Sequence, residues 1–144
     1  MKRFHMNLRV EDLDASTQFY ATLFGAPPTV SEPDYKKWML DDPFINFSIE
    51  PVSGLGGGKA GIAHVGLQTA SEDELEEVYA RIEKAGGPEF REGETQCCYA
   101  HSQKSWTRDP DNIIWEAFYT DGQRQDYGEM PDIPNEGGDA GTCV

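Results

Sequence analysis

Five side chains in this chain have the types that do chemistry. His5 and His64 sit in two separated apolar runs, Glu116 sits inside Ile113-Ile114-Trp115-Glu116-Ala117-Phe118, and Cys97 and Cys98 are adjacent. Imidazole and carboxylate are ligands of divalent metals, and thiolates prefer soft, thiophilic centres. A glutamate in an apolar run is seldom buried without a partner. A salt bridge would satisfy Glu116, and so would a metal ion. A lone histidine on a strand is more often structural, so the case for a ligand set rests on how the three residues are related.

That relation is a repeat. An offset of 59 carries His5 to His64, Leu8 to Leu67, Tyr20 to Tyr79 and Ala21 to Ala80. An offset of 68 carries Trp38 to Trp106, Asp41 to Asp109, Ile45 to Ile113 and Phe47 to Trp115. The same offset puts Ser48 in the slot of Glu116. A duplicated unit thus offers four symmetry-related slots, three filled by His5, His64 and Glu116 and the fourth by Ser48. Two histidines and one carboxylate with positions left open are the facial triad of non-haem Fe(II) oxygenases.

The thiol pair carries its own geometric demand. Neighbours on a regular strand point to opposite faces, so Cys97 and Cys98 can hold one atom together only where the backbone turns or bulges. A zinc site of Cys97, Cys98 and His101 competes, although adjacent cysteines depart from the spacing of structural zinc sites. Two small buried apolar side chains are a further reading. Pairing His101 with either thiol as a nucleophile and base finds no nucleophile-elbow motif in support. Cys143, a lone thiol near the end of the chain, reads as a spectator, with a third ligand beside the pair as the alternative.

The elements that must position these residues follow from periodicity. Phe4 to Val10 alternates as a half-buried strand. Asp12 or Asp14 caps a helix bearing Phe19, Tyr20 and Leu23 and ended by Gly25, and Pro27-Pro28 blocks its continuation. Tyr35 to Leu40 and Phe44 to Glu50 read as strands about a turn at Asp41-Asp42-Pro43. The run Gly54 to Gly61 lacks phosphate-loop spacing and reads as a joint between halves. Ile62 to Thr69 is a second strand. Ser71-x-x-Glu74 opens a helix with Leu75, Val78, Tyr79 and Ile82 on its apolar face, closed by Gly86-Gly87. Strands at Glu89 to Gly93, Gln96 to Ala100 and Ile113 to Tyr119 complete the second half.

The fold expected is α+β: two tandem βαβββ modules related by a pseudo-twofold axis and enclosing a metal-centred cavity. Residues 1–120 form one domain, with module one over 1–53, a linker over 54–61 and module two over 62–120. Residues 121–144, acidic and poor in aromatics, are expected to be a mobile tail.

The chain has 144 residues, enough for one domain with a real core. Twelve basic against 26 acidic residues give a net charge of −14, which disfavours nucleic acid and anionic membranes as partners. No signal-peptide core follows Lys2-Arg3, and no run is long enough to span a bilayer. Three cysteines, two of them neighbours, are no secreted disulfide framework, so a reducing cytoplasm is expected. Two modules close one cavity within a chain, so a monomer suffices and a homodimer is compatible.

The duplicated unit with His5, His64 and Glu116 resembles the vicinal oxygen chelate superfamily of glyoxalase I, bleomycin-resistance proteins, fosfomycin-resistance enzymes and extradiol dioxygenases. A narrower resemblance lies in Phe4-His5-x-Asn7-Leu8, Asp12-Leu13-Asp14-Ala15-Ser16, Phe19-Tyr20, Leu23-Phe24-Gly25, Tyr35-x-Lys37-Trp38-Met39-Leu40-Asp41-Asp42-Pro43 and Glu92-Gly93-Glu94-Thr95-x-Cys97-Cys98-Tyr99-Ala100. Together these are similar to the organoarsenical carbon–arsenic lyase and cadmium-induced protein family, over residues 4–120. The resemblance implies a non-haem Fe(II)-dependent dioxygenase that cleaves trivalent organoarsenicals such as methylarsenite to arsenite. It implies His5, His64 and Glu116 as iron ligands, Cys97 and Cys98 as substrate-binding thiols, and dioxygen as co-substrate. It further implies a mobile loop over Tyr99, His101 and Lys104 that carries substrate toward the metal. Two other readings stand beside it: a cadmium- or arsenite-sequestering protein without turnover, and an extradiol dioxygenase or antibiotic-modifying thiol transferase.

Overall fold

The computed structural model describes residues 1–53, 58–92 and 102–120. Strand β1 (Arg3–Val10) leads into helix α1 (Leu13–Phe24), then β2 (Val30–Glu32), β3 (Tyr35–Asp41) and β4 (Phe44–Pro51). The second half repeats this as β5 (Gly61–Gln68), α2 (Glu72–Ala85), β6 (Glu89–Glu92), β7 (Ser102–Arg108) and β8 (Ile114–Thr120). All eight strands form one sheet in the order β2-β3-β4-β1-β5-β8-β7-β6. The order is a palindrome of the two halves about the central β1–β5 pair. This α+β architecture is two βαβββ modules side by side.

Strand registers fix the internal symmetry. Strand β4 runs parallel to β1 with Asn7 opposite Ser48, and β8 runs parallel to β5 with Gly66 opposite Glu116. Ser48 and Glu116 therefore occupy the same position in the two halves. The antiparallel β1–β5 pair sets His5 opposite Gly66 and Asn7 opposite His64, with a register shift beginning at the next residue.

The two faces of the sheet differ in chemistry. Alternation sends Met6, Leu8 and Val10 of β1 to one face and His5 and Asn7 to the other. On the first face, Val10, Trp38, Phe47 and Ile49 form a core with Leu13, Tyr20, Ala21 and Phe24 of α1. A second core joins Leu75, Val78 and Tyr79 of α2 to Ala117, Leu67 and Tyr119. With both helices on that side, the opposite face collects buried polar groups, among them His5, Asn7, Lys37, Asn46, Ser48, His64 and Glu116.

The helix ends are as the sequence suggests, with one refinement. The Asp12 carboxylate accepts from the Ala15 amide at 2.9 Å, and Gly25 closes α1 in the left-handed region at φ 67°. The Ser71 hydroxyl accepts from the Glu74 amide at 3.2 Å. The Glu74 carboxylate accepts from the Ala70 amide at 2.9 Å, one residue before the cap, and from the chain's amino terminus.

One expectation is corrected: Lys104, expected in a loop, lies within β7 (Ser102–Arg108), paired with Phe118. The strand expected over residues 96–100 falls outside the described residues. On α1, Phe19 and Leu23 are 61% and 63% exposed, because Tyr20 and Phe24 take the core-facing stripe. The short edge strand β2, unforeseen in the sequence, pairs with β3. Residues 54–57 of the linker, the Cys97-Cys98 segment and the tail from residue 121 lie outside the described residues. No helix among the described residues is long and apolar enough to cross a membrane.

Candidate metal centre

Three strands bring the ligand-type residues together. His5 on β1, Gly66 on β5 and Glu116 on β8 form one row across the sheet. His64, two residues before Gly66, stands diagonally from His5. Side chains on such a diagonal reach one another when long. The His5 and His64 Nε2 atoms are 3.0 Å apart, and each lies 3.4 Å from Glu116 Oε2. All three residues are buried, and their ligand atoms lie within 4.8 Å of one another.

Gly66 is the residue that sequence reasoning missed. It stands between His5 and Glu116 and presents no side chain beneath the point where the three ligand atoms meet. A Cβ there would collide with the Glu116 carbonyl oxygen and come within 3.2 Å of the Glu116 Cβ. Its counterpart in the first half is Asn7, which stands between His64 and Ser48 and is buried. A glycine inside a strand marks close approach by a ligand or another backbone. The sequence signal is the glycine inside the apolar run Val65-Gly66-Leu67.

The protonation states suit a metal. His5 Nδ1 donates to the Asn46 carbonyl oxygen at 3.0 Å, which leaves Nε2 with a lone pair facing His64 and Glu116. Burial pushes the His5 imidazole down to about 4, with Glu116 opposing and His64 adding to the shift, so it is neutral near pH 7. Burial alone would raise the Glu116 carboxyl. The hydrogen bond from His64 and the charges of His64, His5 and Lys104 outweigh it and hold the carboxyl below its usual range. Lys104 Nζ is 3.7 Å from Glu116 Oε1, on the side away from the histidines. One carboxylate oxygen thus faces the imidazoles and the other faces an ammonium.

The spacings fit a bound ion. Donors about 2.1 Å from a metal lie about 3.0 Å apart at right angles and about 3.4 Å apart at tetrahedral angles. The triad's 3.0, 3.4 and 3.4 Å fall on those values. His64 Nδ1 is buried without a hydrogen-bond partner among the described residues. Two aromatic rings brace the imidazoles edge-on, Phe118 against His5 at 5.2 Å and Trp106 against His64 at 5.1 Å between centroids. Such packing locks ligand orientation before any ion arrives.

The cysteines belong to the connection between β6 and β7. The described chain ends at Glu92 and resumes at Ser102, and Glu92 pairs with Lys104 at that end of the strands. Cys97, Cys98, Tyr99 and His101 fall between, outside the described residues.

Comparison with known proteins agrees with the fold. The model of the Glyoxalase/Bleomycin resistance protein/Dioxygenase superfamily matches residues 2–117. A trivalent organoarsenical cleaving enzyme of Bacillus sp. (strain MD1) is 39% identical over 121 residues, covering 83% of this chain and 74% of that protein. The cadmium-induced protein CadI of Mycobacterium tuberculosis (strain ATCC 25618 / H37Rv) is 30% identical over 131 residues, covering 91% and 84%. The crystal structure of a superfamily member from Vibrio splendidus 12B01 superposes with a TM-score of 0.55 at 18% identity, covering 83% of this chain and 99% of that one. A buried His-His-Glu cluster on a duplicated βαβββ sheet, together with these likenesses, assigns the chain to the glyoxalase/bleomycin resistance protein/dioxygenase superfamily and, within it, to the family of trivalent organoarsenical cleaving enzymes and cadmium-induced proteins.

Proposed function

We propose that the protein is an Fe(II)-dependent dioxygenase that breaks the carbon–arsenic bond of trivalent organoarsenicals such as methylarsenite and releases inorganic arsenite. The observation that carries this reading is the convergence of two imidazoles and one carboxylate, in a chain 39% identical to a trivalent organoarsenical cleaving enzyme. Fe(II) held by His5, His64 and Glu116 would supply the activation of dioxygen, since a two-histidine, one-carboxylate set leaves positions open.

The chain's own residues do the rest. Cys97 and Cys98 hold the arsenic: each thiol gives its proton to a departing arsenic hydroxyl, and two As–S bonds replace two As–O bonds with loss of two waters. Trivalent arsenic is thiophilic, so two thiolates capture it where one oxygen donor would not. The pair sits in the connection that leaves β6 at Glu92 and enters β7 beside Lys104, next to Glu116. Tyr99 and His101, in the same connection, carry the captured substrate toward the triad, and Lys104 acts from its fixed place on β7. The Lys104 ammonium keeps the Glu116 carboxylate ionised and occupies Oε1, so Oε2 is left for the ion. Trp106 and Phe118 exclude water from the imidazole edges.

The likeness to CadI keeps a thiol-based metal sink in view, but a sink has no use for a buried triad. The deciding experiment incubates Fe(II)-loaded protein with methylarsenite in air and under argon and measures arsenite. The reading expects release in air only. Equal release in both, or none in either, overturns it. A Cys97→Ser, Cys98→Ser variant should lose turnover at low substrate, and full activity there would remove the capture role.

A further inference from the structure

One row of paired residues crosses six strands on the helix side of the sheet: Trp38, Phe47, Met6, Val65, Trp115 and Thr107, on β3, β4, β1, β5, β8 and β7. The halves meet where Met6 stands opposite Val65, so Phe47 and Trp115 hold equivalent places, as do Trp38 and Thr107. The helices add a second pair. Phe24 ends α1 before its left-handed Gly25, and Ala85 ends α2 before its left-handed Gly86. In the first half these positions carry aromatic rings: Phe24 packs on Phe47 at 5.2 Å and on Trp38 at 6.0 Å between centroids. The Trp38 indole N–H donates to the Ala26 carbonyl oxygen at 2.9 Å, just beyond the helix cap. In the second half the same places hold threonine and alanine.

Where those two rings would lie there is a cavity of about 810 Å³, walled by Ile82, Ala85, Pro88, Pro110, Trp115 and Thr107. Such a volume, mostly apolar with a few polar groups, suits a small molecule. Ala85, Pro110 and Asn112 are exposed at its mouth, so a guest has free access from solvent. Deeper in, Thr107 stands beside Gly87, the counterpart of Ala26: a Cβ on Gly87 would come within 2.6 Å of Thr107 Oγ1. That oxygen is buried without a hydrogen-bond partner among the described residues, a cost that a donor on the guest would relieve. The charged groups here are engaged. Arg108 Nη1 donates to the Asn112 carbonyl oxygen at 3.3 Å, and Asp109 Oδ1 accepts from the Asp111 and Ile113 amides, each at 2.9 Å. The carbonyl end of α2 disfavours an anion as well. What fits is what the first half supplies from its own chain, a neutral planar ring with an N–H. Strand neighbours face opposite ways, so Trp115 and Thr107 lie across the sheet from Glu116 and Trp106.

We propose that this cavity is a second binding site, on the face of the sheet away from His5, His64 and Glu116, for a neutral planar aromatic molecule carrying one N–H donor, with indole as its simplest member. The ring packs against Trp115 and fills the volume that Phe24 and Trp38 take in the first half, while the donor meets Thr107 Oγ1. The site does not depend on the carbon–arsenic reading, since its side chains lie on the other face.

The test titrates indole calorimetrically into the metal-loaded full chain and into two variants that copy the first half, Thr107→Trp and Ala85→Phe, with circular dichroism confirming their fold. Wild type should bind indole, and each variant should bind it at least about tenfold more weakly, because the added ring takes the guest's place. Thr107→Val keeps the volume and removes the hydroxyl, and should weaken binding about threefold. Benzoate, an anion of similar size, should bind at least about tenfold more weakly than indole. Indole binding should persist in Glu116→Ala. No indole binding by wild type, or binding that a folded ring-adding variant leaves unchanged, overturns the site. Benzoate binding more tightly than indole overturns the neutral-donor assignment, and indole binding lost in Glu116→Ala puts the guest on the triad's face and overturns the second site.

Discussion

The carboxylate of Glu116 divides its two oxygens between a pair of imidazoles and an ammonium, and Gly66 makes room for that arrangement. Gly66→Ala should therefore act on the metal and not only on the fold. Its Cβ would displace the β8 backbone at Glu116, and metal affinity should drop by about tenfold or more, read by competition with a chelating dye. Lys37 gives a second residue-scale prediction. Its ammonium titrates near 8 in the folded chain against 10.5 for an ordinary lysine, so the unfolded chain binds more protons between those values. Stability should rise with pH across that window, and Lys37→Met should remove the rise, as measured by urea melts at pH 7.5 and 10. His5, His64 and Glu116 were legible in the sequence because repeat offsets relate them. Gly66 and Lys37 were not, since a missing side chain and a buried cation take their meaning from the strands beside them.

At the scale of elements, α1 and β7 show where periodicity misleads. Aromatic and leucine residues crowd α1, and only the packing against Trp38 and Phe47 tells Tyr20 and Phe24 from Phe19 and Leu23. Phe24→Ala should cost about 2–4 kcal/mol, and Phe19→Ala less than about 0.5 kcal/mol, compared by denaturant midpoints at constant slope. Strand β7 reads Ser-Gln-Lys-Ser-Trp-Thr-Arg, with Lys104 and Trp106 turned toward the site and a buried Ser105 facing the helices. No apolar alternation survives in such a strand, so the sequence alone did not mark it. The capped helices and the strands with aliphatic faces carry clear signals. The strand that serves the site hides because its polar residues are needed there.

The whole molecule is two modules joined through β1 and β5, and the three candidate ligands are drawn from both. A metal bound by His5 from the first module and His64 and Glu116 from the second couples the halves. Metal binding should raise the unfolding free energy by about 2.7 kcal/mol at a hundredfold excess over Kd, seen as a higher Tm that chelator reverses. Duplication also explains why the site is lopsided: Asn7 and Ser48 hold the places that Gly66 and Glu116 hold opposite. The measurement that bears most directly on the account is a titration of Fe(II) into metal-free protein under air with methylarsenite, following arsenite release in wild type and Glu116→Ala. The account predicts that the wild-type rate climbs to a plateau at one iron per chain, while Glu116→Ala stays at background. Release independent of added iron, or undiminished in Glu116→Ala, would contradict it.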